Sequence, residues 1–385
     1  MSASEPPIEA LTPDFSAAPT APTPAHPVAP VPPSPVLPDF APPDPSSLAP
    51  PDPSSLAQSP DLPAPVTPPS VLRWAVTKTV LLFAACVLTM QIIGGAIGGA
   101  LALLNPTVMD QIRQAMAGGG LDMQTIMQSP SFNQALGPAT LIGSIIGEAL
   151  GICFFFILRG KKLVTSDIGT TVPVGHRWGI LGTAVLLIFG VQFVLSLLNA
   201  AIVTTGYDPS SVQSTLLDPV LGSTWGILAA VFLLPFFEEL IFRGAILRHL
   251  VPFGVNFAIV TQAVLFGLWH LNLYQGIFAV PMGLILGYVA YHFSLKWSYA
   301  LHALNNGFAM LMGMTWMPGW VAPAIMVVAA LGAVAVLVLR RDRIMPRLTE
   351  GNGELRAFRI GWAAPAFIIV TAIMFVVCCW MMTIA

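Results

Sequence analysis

Three short stretches on separate apolar runs hold most of the reactive side chains in this 385-residue chain: EELIFR at 238–243, FGLWH at 266–270 and HALNN at 302–306. Glu239 and Arg243 are four apart, so on a helix they share a face and can pair. Glu238 points about 100° further round the same helix. It lacks that partner and is free to serve as a general base. His270 follows Phe266 by four near the end of an apolar helix. His302 and Asn306, also four apart, offer two side-chain donors toward one point, an arrangement suited to an oxyanion. Each group also has a purely structural reading. The acidic pair and Arg243 can lock helices together, His270 can be a packed residue beside Trp269, and His302 and Asn306 can make interhelical hydrogen bonds.

What must position these residues is a set of membrane helices. Only 9% of the chain is charged, mean hydropathy is +0.78, and apolar runs long enough to span recur along most of its length. An ionised group at the bilayer centre costs about 2.5–3.5 kcal/mol on insertion scales. Placing Glu238, Glu239 and Arg243 there therefore implies a use. The expected fold is all-α and polytopic, with spans near 74–104, 138–158, 179–203, 221–247, 256–273, 275–294, 297–315, 320–339 and 361–383. Lys and Arg concentrate at Arg73 and Lys78, at 159–162 with Arg177, at Arg248, at Lys296 and at six arginines between 340 and 359. With nine spans these ends share one side. The positive-inside rule then puts the N-terminus in the cytoplasm and the C-terminus outside, and the plasma membrane is the expected location.

Residues 1–70 differ from the rest. They hold 23 of the 36 prolines, seven acids, no Lys or Arg, and a tandem APPDPSSL at 41–48 and 49–56. The remainder carries sixteen cations against eleven acids. Such a tail is expected to be disordered, with polyproline II character. It has no basic n-region or apolar h-region, so it does not read as a signal peptide. The expected organisation is this tail, N-terminal helices over 71–220, a chemical core over 221–315 and two further helices over 316–385. In the first span, Gly94/Gly98 and Gly95/Gly99 are small-xxx-small pairs that favour close helix approach. The loop 105–137, rich in Met, Gln and Gly, is expected to hold either a short interfacial helix around Asp110–Met116 or nothing regular. Cys86, Cys153, Cys378 and Cys379 form no metal or redox motif. Glu148 is expected to pair with a neighbouring helix or to flank the cavity. His292 matches no motif and is expected at the interface.

Taken together, E-E-x-x-x-R, F-x-x-x-H and H-x-x-x-N in this order resemble the CPBP family, which includes the type II CAAX prenyl proteases and the bacteriocin-processing Abi proteins. FRGAIL and GLILGYVAYHF are similar to that family as well, and the resemblance covers about 221–315. It implies an intramembrane endopeptidase in which Glu238 and His270 hold and activate water. His302 and Asn306 would stabilise the oxyanion, and Glu239 and Arg243 would support Glu238. Relatives have been described as metalloproteases, and Glu238, His270 and His302 are the set that could bind zinc. There is no H-E-x-x-H, and a water-activating Glu/His pair needs no metal, so no cofactor is favoured.

The competing classes are a non-catalytic scaffold or immunity-type protein on the same fold, and an ion-coupled transporter. No G-x-S-x-G motif, no Tyr–Asp pair within a span and no internal repeat of the transporter kind is present. Implied partners are the lipid bilayer and a peptide or protein substrate, membrane-anchored or lipidated, with no nucleic acid. One constraint is geometric. The reactive residues sit at different distances from the inner ends of their spans, so tilt or a fifth span that begins deeper must level them. Deleting residues 1–70 is expected to leave membrane insertion and thermal melting in detergent unchanged; a large fall in either would mean that the tail packs on the bundle.

Overall fold

Without water in the hydrocarbon core, a spanning backbone must satisfy its N–H and C=O groups internally, so apolar runs close into helices. The computed structural model describes residues 67–118, 120, 122–165, 174–206, 208, 223–312, 314, 318–339 and 352–381. No strand occurs among them. The proline-rich tail lies outside the described residues except at its end, where the first helix already starts at Pro69. The helices are α1 (Pro69–Leu103), α2 (Pro106–Ala117), α3 (Met123–Met127), α4 (Pro130–Arg159), α5 (Lys162–Thr165), α6 (Val174–Val203), α7 (Thr224–Phe253), α8 (Val255–Trp269), α9 (Leu273–His292), α10 (Leu295–Met312), α11 (Val321–Leu339), α12 (Asn352–Gly361) and α13 (Pro365–Met381).

Every expected span falls on a helix, but the count of nine crossings is not confirmed. Among the described residues six helices, α1, α4, α6, α7, α9 and α11, are long and apolar enough to cross a bilayer. A seventh span arises if α12 and α13, bent by 73° at their junction, act as one. The shortfall has two sources. Helix α8 has only 15 residues, about 22 Å at 1.5 Å per residue. Helix α10 carries Lys296, His302, Asn305 and Asn306, which lower its hydropathy. The expected outer-loop helix is present as the amphipathic α2, with Asn105 accepting a cap bond from the Thr107 N–H at 3.1 Å.

One of the two glycine pairs in α1 is used as a packing seam. A Cβ on Gly94 would lie 2.7 Å from the Gly143 carbonyl oxygen, and one on Gly98 would lie 3.0 Å from Thr140 Cα. Around Gly95 and Gly99 there is nothing within 4 Å. The facing helix supplies its own small residues, since a Cβ on Gly147 would sit 2.8 Å from Met90 Cα. Helices α8 and α9 meet in the same way, through Gly267 against Gly276 and Gly283 against Ala263. That contact fixes the end of α8, where His270 sits.

The core lies where these seams meet α7. Phe83, Phe242, Phe257, Phe266 and Phe293 are almost fully buried there, while Ile92, Trp225, Leu331 and Ile369 face outward, as lipid-facing residues do. Gly143→Ala is expected to cost at least about 1–3 kcal/mol, because the clash is with backbone rather than with a movable side chain. Gly95→Ala should be neutral or slightly stabilising. Thermal melts of the two variants in detergent check the pair, and equal effects would contradict the seam.

Candidate active site

Proline shapes the helix that carries the two glutamates. Pro235 has no N–H to give to the helical ladder. The turn before it, Ala229–Leu233, is π-helical, and so is the stretch after the glutamates, Leu240–Leu247. π turns add a residue to the ladder and re-aim the side chains that follow, and they recur at functional sites. The second stretch is wholly buried, Arg243 included.

Glu239 is the hub. It is 1% exposed and Arg243 is 0% exposed, so neither can meet solvent or substrate. Arg243 Nη1 donates to Glu239 Oε1 at 2.9 Å. His302 Nδ1 lies 2.9 Å from the same oxygen and donates to it. Ser298 Oγ donates to Oε2 at 2.5 Å. One carboxylate thus ties α7 to two positions on α10. The remaining face of Arg243 is aromatic, with its guanidinium carbon 4.4 Å from the centre of the Phe266 ring. Its Nε and Nη2 have no hydrogen-bond partner.

Phe266 also sets both histidines. Its ring meets His270 and His302 edge-on, with centroids 5.1 Å and 5.6 Å away. Its carbonyl accepts a hydrogen bond from His270 Nδ1 at 2.9 Å. With Nδ1 holding the proton, the lone pair of His270 is on Nε2. Just beyond, Leu271 takes φ 50°, a conformation that non-glycine residues rarely adopt, and Asn272 caps α9 by accepting from the Gln275 N–H at 3.1 Å.

Glu238, His270, His302 and Asn306 all line one cavity of about 420 Å³, and Glu239 and Arg243 do not. His302 Nε2 lies 3.4 Å from Glu238 Oε2, so its ring stands between the two glutamates. Asn306 Nδ2 donates to the Ala230 carbonyl at 3.0 Å. The π spacing would pair that carbonyl with residue 235, and Pro235 has no proton to give. Helix α8 stops after 15 residues at Trp269, and His270 is its C-cap. The rest of the wall is largely apolar, including Ile188, Phe278, Met282 and Met326.

Glu238, His270 and His302 are the residues that would hold a zinc ion. Among the described residues no three His, Cys, Asp or Glu side chains are grouped to hold a metal. His302 faces a carboxylate at each ring nitrogen, whereas His270 gives its Nδ1 proton to a carbonyl and keeps the Nε2 lone pair open.

Several contributors were not singled out by motif. Ser298 is one, buried at 0% and bridging Glu239 to the Leu286 carbonyl. Gln192 and Asn305 also line the cavity. Glu148, on α4, is buried within electrostatic reach of Glu238, and its Oε2 has no hydrogen-bond partner. His292 is at the last residue of α9, packed on Tyr288 and Tyr291.

Glu239→Gln removes the charge that pairs with a fully buried Arg243. Breaking such a pair costs about 3–5 kcal/mol. The variant is expected to melt well below wild type in detergent, and an unchanged melting temperature would show that the hub does not hold α7 to α10.

Residues 220–308 match the family model described as type II CAAX prenyl endopeptidase Rce1-like. No curated protein and no solved structure matches the chain. The matched segment runs from just before α7 into α10 and contains all three motifs. Over residues 220–308, this multi-pass membrane protein is similar to the Rce1-like type II CAAX prenyl endopeptidase family, a family of proteases.

Proposed function

We propose that this protein is an intramembrane endopeptidase that hydrolyses peptide bonds with a water activated by Glu238 and His270. The observation that carries the reading is the cavity, where Glu238, His270, His302 and Asn306 meet while Glu239 and Arg243 stay behind the wall. Water entering there can donate one proton to Glu238 and the other to His270 Nε2. Its oxygen then attacks the peptide carbonyl carbon as Glu238 takes its proton. The carbonyl oxygen becomes an oxyanion, facing the His302 ring and the second N–H of Asn306. With a carboxylate oxygen opposite each ring nitrogen, His302 is arranged to donate from both. Collapse of the tetrahedral intermediate breaks the C–N bond, and the proton on Glu238 goes to the leaving nitrogen.

The substrate class that fits is a peptide or protein held at the membrane by a lipid or an apolar segment. The apolar wall beside the reactive groups supports this, as does the family match. The proposed orientation places the N-terminus in the cytoplasm and the protein in the plasma membrane. Lys78 Nζ donates to the Ile157 carbonyl at 3.5 Å, beside Arg159. His249 lies within electrostatic reach of both cations. The basic ends of α1, α4 and α7 therefore gather on one side, as the positive-inside rule requires.

Glu238→Gln keeps the volume but removes the base, and is expected to abolish turnover of a prenylated CAAX peptide without changing the melting temperature. Asn306→Ala is expected to lower turnover by about 10²–10³ with little change in KM. Chelators are expected to leave turnover intact, and elemental analysis to find no stoichiometric zinc. An active Glu238→Gln would hand the fold to the scaffold reading; one zinc per chain with chelator-sensitive turnover would make the same side chains ligands.

A further inference from the structure

The cavity wall holds a chain of three carboxamides. Gln192 on α6 donates from Nε2 to Asn305 Oδ1. Asn305 Nδ2 donates to Asn306 Oδ1 at 3.2 Å, and Asn306 Nδ2 donates to the Ala230 carbonyl at 3.0 Å. All three side chains line the cavity. The chain has a direction, since each amide accepts at oxygen from the one before and donates from nitrogen to the next.

That direction bears on the reaction. A carboxamide turned by 180° presents its oxygen where its N–H group had been, and an oxygen there would repel an oxyanion. Ala230 engages one N–H of Asn306 and leaves the other. Asn305 holds the oxygen of Asn306 by donating to it, but only while its own nitrogen faces Asn306. Its orientation is fixed in turn by the Gln192 N–H. A hydrogen bond accepted at the oxygen of an amide also strengthens donation from its nitrogen. Gln192 lies outside the segment matched to the family, on a helix that shows no family motif.

We propose that Gln192 is a positioning residue for the reaction: acting through Asn305, it fixes the Asn306 carboxamide with an N–H toward the reacting carbonyl. This rests on the reading of Asn306 as an oxyanion donor. Gln192 touches no reacting atom, so its effect belongs on turnover rather than on substrate binding.

The test is a double-mutant cycle read on the cleavage of a prenylated CAAX peptide by the full-length protein in detergent, with melting temperature measured for each variant. Gln192→Met keeps the shape and removes the amide. It is expected to lower kcat on the order of tenfold, less than loss of the donor itself, with KM unchanged. In the Asn306→Ala background the same change is expected to add no further loss, because the relay has no other outlet. Asn305→Leu breaks the relay one link later and is expected to behave the same way, which keeps the test alive if Gln192→Met does not fold. Wild-type kcat in both relay variants, with Asn306→Ala impaired, would overturn the relay and leave the proposed chemistry standing. Losses that multiply with Asn306→Ala would also overturn it, by placing the action of Gln192 elsewhere. Wild-type turnover by Asn306→Ala would remove the oxyanion donor itself and the relay with it.

Discussion

A carboxylate buried in a membrane bundle is held only if its charge is answered, and at Glu239 three groups answer it. Arg243 from its own helix and Ser298 and His302 from α10 close around the two oxygens. Removing any one of these donors would leave charge in a medium that cannot solvate it. The arrangement therefore fixes α10 against α7, and with it the places of His302 and Asn306. Glu238, the residue before Glu239, inherits a defined position and shares His302 with it, at 3.4 Å, but has neither Arg243 nor Ser298 as a hydrogen-bond partner. Two chemically identical neighbours are separated by 100° of helix rotation, one turned into a closed network and the other toward a cavity.

The aromatic and backbone features around this hub act in the same direction. Phe266 covers the open face of Arg243 with its ring, contacts both histidines, and sets the proton position on His270 through its carbonyl. Pro235 withholds an N–H that the π-helical turn would otherwise use, and Asn306 takes up the Ala230 carbonyl in its place. Neither feature is an ornament of the helix. Each converts a local exception to regular geometry into the orientation of a side chain at the cavity.

Part of this was legible from spacing. The i, i+4 rule pairs Glu239 with Arg243, and the pair is there at 2.9 Å. Small-residue spacing identifies a packing seam in α1 but not which of its two registers faces α4; that depends on the rotation of α1, which an apolar run does not encode. Hydropathy marks the apolar runs, but the count of nine crossings is not confirmed, since α8 is short and α10 is made polar by the residues that matter most. That the three motifs meet at one place does not follow from their spacing along the chain; it was expected from the family resemblance. Ser298 and Gln192 gave no signal in advance, because a lone hydroxyl or amide in an apolar helix has no periodicity to betray its partner, and Asn305 lies within HALNN without a role that the motif spacing assigns.

The central claim is that water, delivered by Glu238 and His270, cuts a peptide bond inside this cavity. Mass spectrometry of the products from a prenylated CAAX peptide, incubated with purified protein in water enriched in heavy oxygen, tests it most directly. The account predicts an internal cut with one solvent oxygen in the newly formed carboxyl group. A peptide recovered uncut by folded protein would contradict it.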